Sequence, residues 1–420
     1  MADVRVVPAQ DAERFLQTDL LVWFDEPPQE SAEHVLSGMP EDLRFGAEVE
    51  GSDSRWYAGV YGVYPLTLTV PGPHQSLRQL PVAGLTFVGV HPDQRRRGVL
   101  TAMLGDHFER TREGDWSGLS VLHASEPAIY GRHGYGTASW EETITLGRGA
   151  KLTSPGLDEA AGAIRTSMTS TTDADVAERI RAIALEAGVH QLGAIVREAA
   201  LYARFSHDTP QTVRDREPQR VLFAQQDGKD VGYAWIRRTP GWEDGEPKGT
   251  LSVMEMTGSP AAELALARRL VDMDLISKIT FSCRSTDDPL IDWVGSPRSV
   301  QGPAHDSLWV RLVDLPKALT ARGYATACDV VLQVEDTRCA WNDGRWRLRV
   351  DNDGQATVER TDADADLTLT TQMLASAYLG ARSLVTQHRS GLLTEARAGA
   401  VAELDASMQM SMPAVGAVGF

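Results

Sequence analysis

Residues Val88 to Gly136 constrain this chain more than any other stretch. They read VGVHPDQRRRGVLTAMLGDHFERTREGDWSGLSVLHASEPAIYGRHGYG. An apolar run, Leu85 to Val90, predicts a strand. A polar turn, HPDQRRR, and Gly98 follow. From there Val99, Leu100, Met103, Leu104 and Phe108 recur at helical spacing. A strand that enters a helix through a glycine-containing, arginine-rich loop is a phosphate-binding arrangement. The first helical turn has unpaired N–H groups, and the helix dipole favours an anion there. Gly98 lets the backbone approach a pyrophosphate where a Cβ would obstruct it. The arginines can pair with phosphate oxygens. Taken alone, an arginine run is equally a solvated face.

The spacing Arg95-x-x-Gly98-x-Leu100 resembles the acyl-CoA motif of the GNAT acetyltransferases, R/Q-x-x-G-x-G/A, with Leu100 departing from it at the last position. About 25 residues past Arg97 comes LSVLHASEPAIYGRHGYG. Leu119 to Leu122 reads as a second buried strand and Ser125 to Tyr130 as a short helix. Gly131, Gly134 and Gly136 then form a turn. Together RRRGVL, LHASE and IYGRHGYG resemble the Eis (enhanced intracellular survival) family of actinobacterial N-acetyltransferases. The fold class this implies is α/β (α+β): tandem GNAT-like domains, the second degenerate, followed by a C-terminal sterol-carrier-protein-like α+β domain.

The chain has 420 residues, enough for about three domains. Its net charge of −17 argues against a nucleic-acid partner and would suit a polycationic substrate, although plain solubility explains it as well. Cys283, Cys328 and Cys339 lack C-x-x-C spacing, and the ten histidines form no H-x-H or H-E-x-x-H cluster, so no metal site is expected. The cysteine usage suggests a reducing compartment. The start, MADVRVVPAQDAERF, has no apolar core of a signal peptide, and no run of about 18 apolar residues predicts a membrane span. The expectation is a cytoplasmic protein.

In chain order, Val4 to Val7 predicts a strand, Asp11 to Leu20 a helix, and Ala32 to Leu36 another. Phe45 to Val49 and Arg55 to Leu68 predict a hairpin with GSDS as its turn, and PGPHQSLRQL predicts a loop with edge-strand character. Glu141 to Leu146 is expected as the last strand of a first domain, residues 1–150. A second domain, 151–303, repeats the order of hairpin, strand (Leu251 to Met256), helix (Ala261 to Met273) and strand (Lys278 to Phe281). Its strand-to-helix loop is TGSPAAE, without an arginine run or R-x-x-G-x-G, so it is expected to have lost the phosphate cradle. A third domain, 304–420, opens with the strand Leu308 to Leu312. Its alternating segments DVVLQVED and RWRLRV predict a half-exposed sheet. The chain ends in SMPAVGAVGF, apolar and without charge.

The family resemblance assigns roles to these residues. Acetyl-CoA is the expected acyl donor, with backbone groups of Val88, Gly89 and Val90 along its pantetheine arm. Arg95, Arg96, Arg97, Gly98, Val99, Leu100 and Thr101 are expected around its diphosphate, and Ser125 and Glu126 as further cofactor contacts. Tyr130 is the expected general acid, with Tyr135 as a packing residue. The terminal carboxylate of Phe420 is the expected general base, with Glu126 and His123 as rivals. Trp23, Phe24, Asp25 and Glu26 are expected to line the substrate cleft. The substrate implied is a primary amine on a cationic molecule, an aminoglycoside or a lysine side chain, and the assembly implied is a homohexamer. The alternative is a non-catalytic acyl-CoA- or lipid-binding regulator, distinguished from an enzyme by whether CoA is released in the presence of an amine.

Overall fold

The computed structural model describes residues 3–420 apart from 52, 54, 211 and 301. Two of the four residues of the expected GSDS turn, Ser52 and Ser54, therefore lie outside the described residues. The chain divides into two compact units. One comprises residues 1–138, 308–411 and 419–420, the other 139–307 and 412–418.

The first unit holds a sheet whose own strands run in the order Val4–Pro8, Arg44–Val49, Gly59–Pro71, Leu77–Val90, Leu119–His123, Leu308–Leu312 and Gly136–Thr137. All neighbours are antiparallel except Leu77–Val90 and Leu119–His123, which run parallel. A parallel pair needs a crossover, and the helix Val99–Glu113 supplies it. Val99, Met103, Leu104 and Phe108 from this helix pack with Ala83, Leu85, Leu122 and Trp309 from the sheet. The helix Ala12–Trp23 is capped by Asp11, which accepts the Arg14 N–H. It ends where Phe24 turns left-handed at φ 63°.

The same unit carries a five-stranded sheet in the order Ala356–Arg360, Gly344–Val350, Cys328–Glu335, Leu367–Thr370 and Thr394–Glu395. The helix Thr371–Ala377 follows directly on this sheet and explains two glycines of the IYGRHGYG motif. A Cβ on Gly131 would lie 2.8 Å from Gln372 Nε2, and one on Gly136 would overlap the Gln372 carbonyl.

The second unit is built around another seven-stranded sheet: His305–Asp306, Trp140–Gly147, Ile276–Arg284, Gly249–Gly258, Lys229–Thr239, Arg220–Gln226 and Arg165–Ser170. Its single parallel pair, Gly249–Gly258 with Ile276–Arg284, is joined by the helix Pro260–Val271. The arrangement of hairpin, strand, helix and parallel strand thus occurs twice.

Two strands fall elsewhere than the sequence suggests. Trp140–Gly147, expected to close the first domain, pairs with Ile276–Arg284 in the second sheet. Leu308–Leu312, expected to open the third domain, sits between Leu119–His123 and Gly136–Thr137 in the first sheet. Each segment is apolar enough to enter either sheet, so local pattern cannot choose its partner. Arg311 secures the second placement. It is fully buried, and its Nη2 donates to Asp336 at 2.6 Å. Half of PGPHQSLRQL, the expected loop with edge-strand character, is strand: Pro71 and Leu77 to Leu80. Gly59–Pro71 and Leu77–Val90 pair as far as Pro71 with Leu77, and only five residues turn between them.

Candidate active site

The chemistry that Val88 to Gly136 suggests depends on an opening between parallel strands. Leu77–Val90 pairs with Leu119–His123 only at Ala83 with Ser120 and Gly84 with Val121. Beyond these rungs Leu77–Val90 stays on its other neighbour, up to Gly59 with Val90. Leu119–His123 instead stays on Leu308–Leu312, with His123 opposite Leu308. The two strands therefore diverge, leaving a wedge between Leu85–Val90 and Leu122–His123. Just past the divergence Leu77–Val90 bulges: its register shifts across Val60 to Gly62, and Phe87 takes φ 51°. Val88, Gly89 and Val90 follow this bulge along the wedge.

At the end of the same strand the loop tightens into one 3₁₀ turn, Pro92–Gln94, and His91 Nδ1 accepts the Asp93 N–H. Arg95, Arg96 and Arg97 are exposed. Arg96 is left-handed at φ 60°, and Arg97 is held by Gln94 at 2.6 Å. Gly98 is the N-cap of Val99–Glu113 at φ 91°, with no side chain capping it and open space where a Cβ would be. No acidic residue lies in the first turn. The N–H groups of Val99, Leu100 and Thr101 thus head the helix without a capping side chain, beside three arginines. Leu100, the departure from the GNAT pattern, packs partly against the core cluster of Val99 and Met103.

Tyr130 lies in the short helix Pro127–Gly131 and is only 7% exposed. Burial pushes its phenol above the ordinary tyrosine value; the Ser125 hydroxyl opposes this and the Glu126 charge adds to it. The phenol is therefore protonated at neutral pH. Ser125 and Glu126 are exposed at the head of this helix. Tyr135 packs edge-on against Tyr130 with ring centroids 5.9 Å apart. It differs from Tyr130 in being completely buried. Its hydroxyl bonds Ser120 Oγ at 2.7 Å, and Ser120 Oγ bonds His107 Nε2 at 2.7 Å. Burial pushes His107 down to about 3, so this network is neutral.

The last residue of the chain reaches this strand. The Phe420 ring lies 5.0 Å from the His123 ring, centroid to centroid. On the other flank, Val22 of the helix Ala12–Trp23 rests on Gly89, where a Cβ would lie 3.0 Å from Val22 Cγ1. Trp23 ends this helix and Phe24, Asp25 and Glu26 follow it; all four are exposed, Phe24 by 87%. Asp25 lines a hollow of 270 Å³ with Glu13, Leu20, Pro27 and Trp56.

The sequence reading passed over Asp19. Its carboxyl is buried, Oδ1 has no hydrogen-bond partner, and burial with the nearby Asp25 charge pushes it up to about 7, against an opposing contribution from Trp23. The only signal was its position on the buried face with Phe15 and Leu16. The Tyr135–Ser120–His107 chain was missed as well, because Ser120 reads as an ordinary strand residue.

The corresponding place in the second unit is built differently. Pairing between Gly249–Gly258 and Ile276–Arg284 also stops partway, at Val253 with Phe281. Its helix, however, is capped by Ser259, whose Oγ accepts the Ala262 N–H, and begins with Pro260, which has no N–H. Glu263 lies in the first turn, buried and paired with Arg284 at 2.8 Å. Glu255 in the diverging strand is buried against Arg197 and accepts from Tyr233 at 3.0 Å. There the Ala262 N–H is already capped, and both arginines are already paired with carboxylates. Among the described residues no cluster of His, Cys, Asp and Glu is arranged to hold a metal ion, and no helix is long and apolar enough to cross a membrane.

Diverging parallel strands headed by an uncapped, arginine-flanked helix define a GNAT-type acyltransferase. Family comparison agrees: acetyltransferase (GNAT) domain models match residues 3–138 and 193–312, and a sterol carrier protein domain model matches 315–416. A Streptomyces avermitilis protein described as an uncharacterized N-acetyltransferase is 38% identical over 350 residues, covering 82% of each chain. The N-acetyltransferase Eis of Mycobacterium tuberculosis is 30% identical over 355 residues, 83% of this chain and 82% of that one. The crystal structure of Eis1 from Mycobacterium abscessus superposes with a TM-score of 0.78 at 28% identity over 98% of both chains. The chain belongs to the Eis family of GNAT N-acetyltransferases.

Proposed function

We propose that the first GNAT module transfers the acetyl group of acetyl-CoA to a primary amine of a cationic substrate, an aminoglycoside or a lysine side chain. The observation that carries this reading is the wedge beyond Ala83–Ser120 and Gly84–Val121, with Phe420 against His123 on the strand that bounds it.

The cofactor's diphosphate belongs at the head of Val99–Glu113, among Arg95, Arg96, Arg97 and the N–H groups that follow Gly98. Backbone groups of Val88 to Val90 take the pantetheine arm and the acetyl carbonyl, stabilising the negative charge that develops on its oxygen. The terminal carboxylate of Phe420 accepts a proton from the substrate ammonium. The free amine attacks the thioester carbon, a C–N bond forms, and the C–S bond breaks. The departing sulfur takes its proton from the Tyr130 phenol, which recovers one from solvent. Tyr130 suits the role better than Tyr135, whose hydroxyl is committed to Ser120 in the core. An α-carboxyl ordinarily titrates near 3.3–3.7 and is a weak base; a site closed by bound substrate would raise it. Asp25 and Glu26, on the flank packed over Gly89, would favour an amine-rich substrate by charge. The hexamer implied by the family is a separate reading, checked by sedimentation.

The test is CoA release over a panel of amines. Tyr130→Phe should lower kcat by roughly 10²-fold, the usual range for losing a positioned acid, with acetyl-CoA binding retained. Removal of Phe420 should lower kcat at least as much. Full turnover in either variant would overturn the role assigned to that residue.

A further inference from the structure

The strands that part in the second module line a cavity of their own. Pairing between Gly249–Gly258 and Ile276–Arg284 ends at Val253 with Phe281. Beyond that rung Cys283 turns left-handed at φ 56°, and pairing of its strand with Trp140–Gly147 jumps from Phe281–Ile144 to Arg284–Glu142. Residues 255–258 of one strand and 282–284 of the other border a cavity of about 340 Å³. That is near the small end of the range for ligand pockets, about 300–1,000 Å³, and suits a small molecule rather than a CoA.

Most of the wall is apolar, with Leu192, Ile195, Met256, Trp293, Met412 and Val415 contributing. Its buried polar groups are committed to one another. The Tyr233 hydroxyl donates to Glu255 at 3.0 Å, and Glu255 also pairs with Arg197. Gln191 donates to Glu263 at 3.1 Å. Arg284 donates to Glu263 at 2.8 Å, to Asp288 at 2.6 Å and to the Met256 carbonyl at 2.7 Å. Asp287 differs from these carboxylates. It lines the same cavity but is exposed, so it stands at the mouth. Its Oδ1 accepts from the Ser285 hydroxyl at 2.6 Å, a neutral partner. Arg284 is the one arginine or lysine among the described residues that line the cavity, and Glu263 and Asp288 take it up.

We propose that this cavity is a binding site for a small organic cation with an apolar body, the body filling the cavity and the charge resting at Asp287. The site is separate from acetyl transfer in the first module and does not depend on it. Three features select the ligand. The apolar wall takes an apolar body out of water. The buried polar groups already bond one another, so they leave no demand for a ligand to meet. Glu255, Glu263, Asp287 and Asp288 outnumber Arg284 and Arg197, so the local field favours a cation over an anion. The same field disfavours a diphosphate.

The probe is benzyltrimethylammonium, which has an apolar ring and a fixed charge, and no N–H bond through which it could be acetylated. Methionine-methyl NMR of the full-length chain reads the cavity directly, because Met256 and Met412 line it. Met256→Leu and Met412→Leu assign the two signals. Both should shift saturably with the probe. Phenylacetate, an anion of similar size, should bind roughly tenfold more weakly. Asp287→Asn should weaken the probe roughly 3–5-fold, as losing a solvated ion pair does, and should not weaken phenylacetate. Ala194→Phe, which places a ring in the cavity, should abolish both shifts. Asp287→Asn alters an exposed side chain and keeps the test decisive if Ala194→Phe does not fold. No saturable shift at Met256 and Met412 in the unmodified protein would overturn the site. Equal affinity for the probe and phenylacetate, or a probe affinity unchanged in Asp287→Asn, would overturn the cation as its ligand. The measurement involves no turnover, so its failure is distinct from a failure of the acetyltransferase reading.

Discussion

The heads of the two crossover helices differ although the strands leading to them are laid out alike. Val99–Glu113 begins at a left-handed glycine, with no capping side chain, no acid in its first turn and three exposed arginines before it. Pro260–Val271 begins at a serine that caps it, a proline that lacks an N–H, and a glutamate buried against Arg284. The first leaves its backbone donors for a ligand; the second satisfies them internally. Repetition of a fold therefore says little about repetition of a function. What separates the two modules is where a few N–H groups and charges find their partners.

The contrast extends to buried carboxylates. In the second module Glu255 and Glu263 are each paired with a buried arginine. In the first, Asp19 has an unpartnered oxygen and titrates near 7. A carboxyl whose folded pKa is raised binds its proton more tightly folded than unfolded. Its contribution is therefore fully present below the unfolded value, near 3.8, and is lost as pH rises toward 7. Asp19→Asn removes that loss. The variant should match wild type near pH 4 and exceed it increasingly up to pH 7, by a difference on the order of 4 kcal/mol. Denaturant unfolding across this range checks it; a difference independent of pH would place the cause elsewhere.

Glu263→Gln tests the other side of the contrast. It leaves Arg284 buried with Asp288 as its remaining carboxylate partner, and should destabilise the protein by about 3 kcal/mol, as breaking a buried pair does. Acetyl-CoA affinity should not change, and a loss of affinity would mean that the second helix head takes part in cofactor binding. The smallest effect is expected from Ser259→Ala, about 1 kcal/mol for a lost cap, read as a lower melting temperature with unaltered KM for acetyl-CoA.

The sequence made the first module readable because its signal is local. The turn HPDQRRRG is contiguous, and the helix after it shows its periodicity in every turn. IYGRHGYG pointed to a tight structure, but its reason, the close packing of Gln372 against Gly131 and Gly136, comes from residues more than 230 positions away. The exchange of Trp140–Gly147 and Leu308–Leu312 between sheets was not legible, because an apolar five- to eight-residue strand carries no label for its partner. Asp19 was passed over since a carboxylate on a helix ordinarily faces water. The apolar ending PAVGAVGF stood out in the sequence, yet its close fit against Cys283 and Glu141 appears only in three dimensions.

The central claim, that the cofactor is held at one helix head and not the other, is tested most directly by calorimetric titration of acetyl-CoA into the intact protein and into a variant carrying Arg95→Gln, Arg96→Gln and Arg97→Gln. The account predicts one site per chain, weakened roughly 10²-fold in the variant, as expected for losing about 3 kcal/mol of charge-assisted bonding. Two sites per chain, or affinity unchanged by the triple substitution, would contradict it.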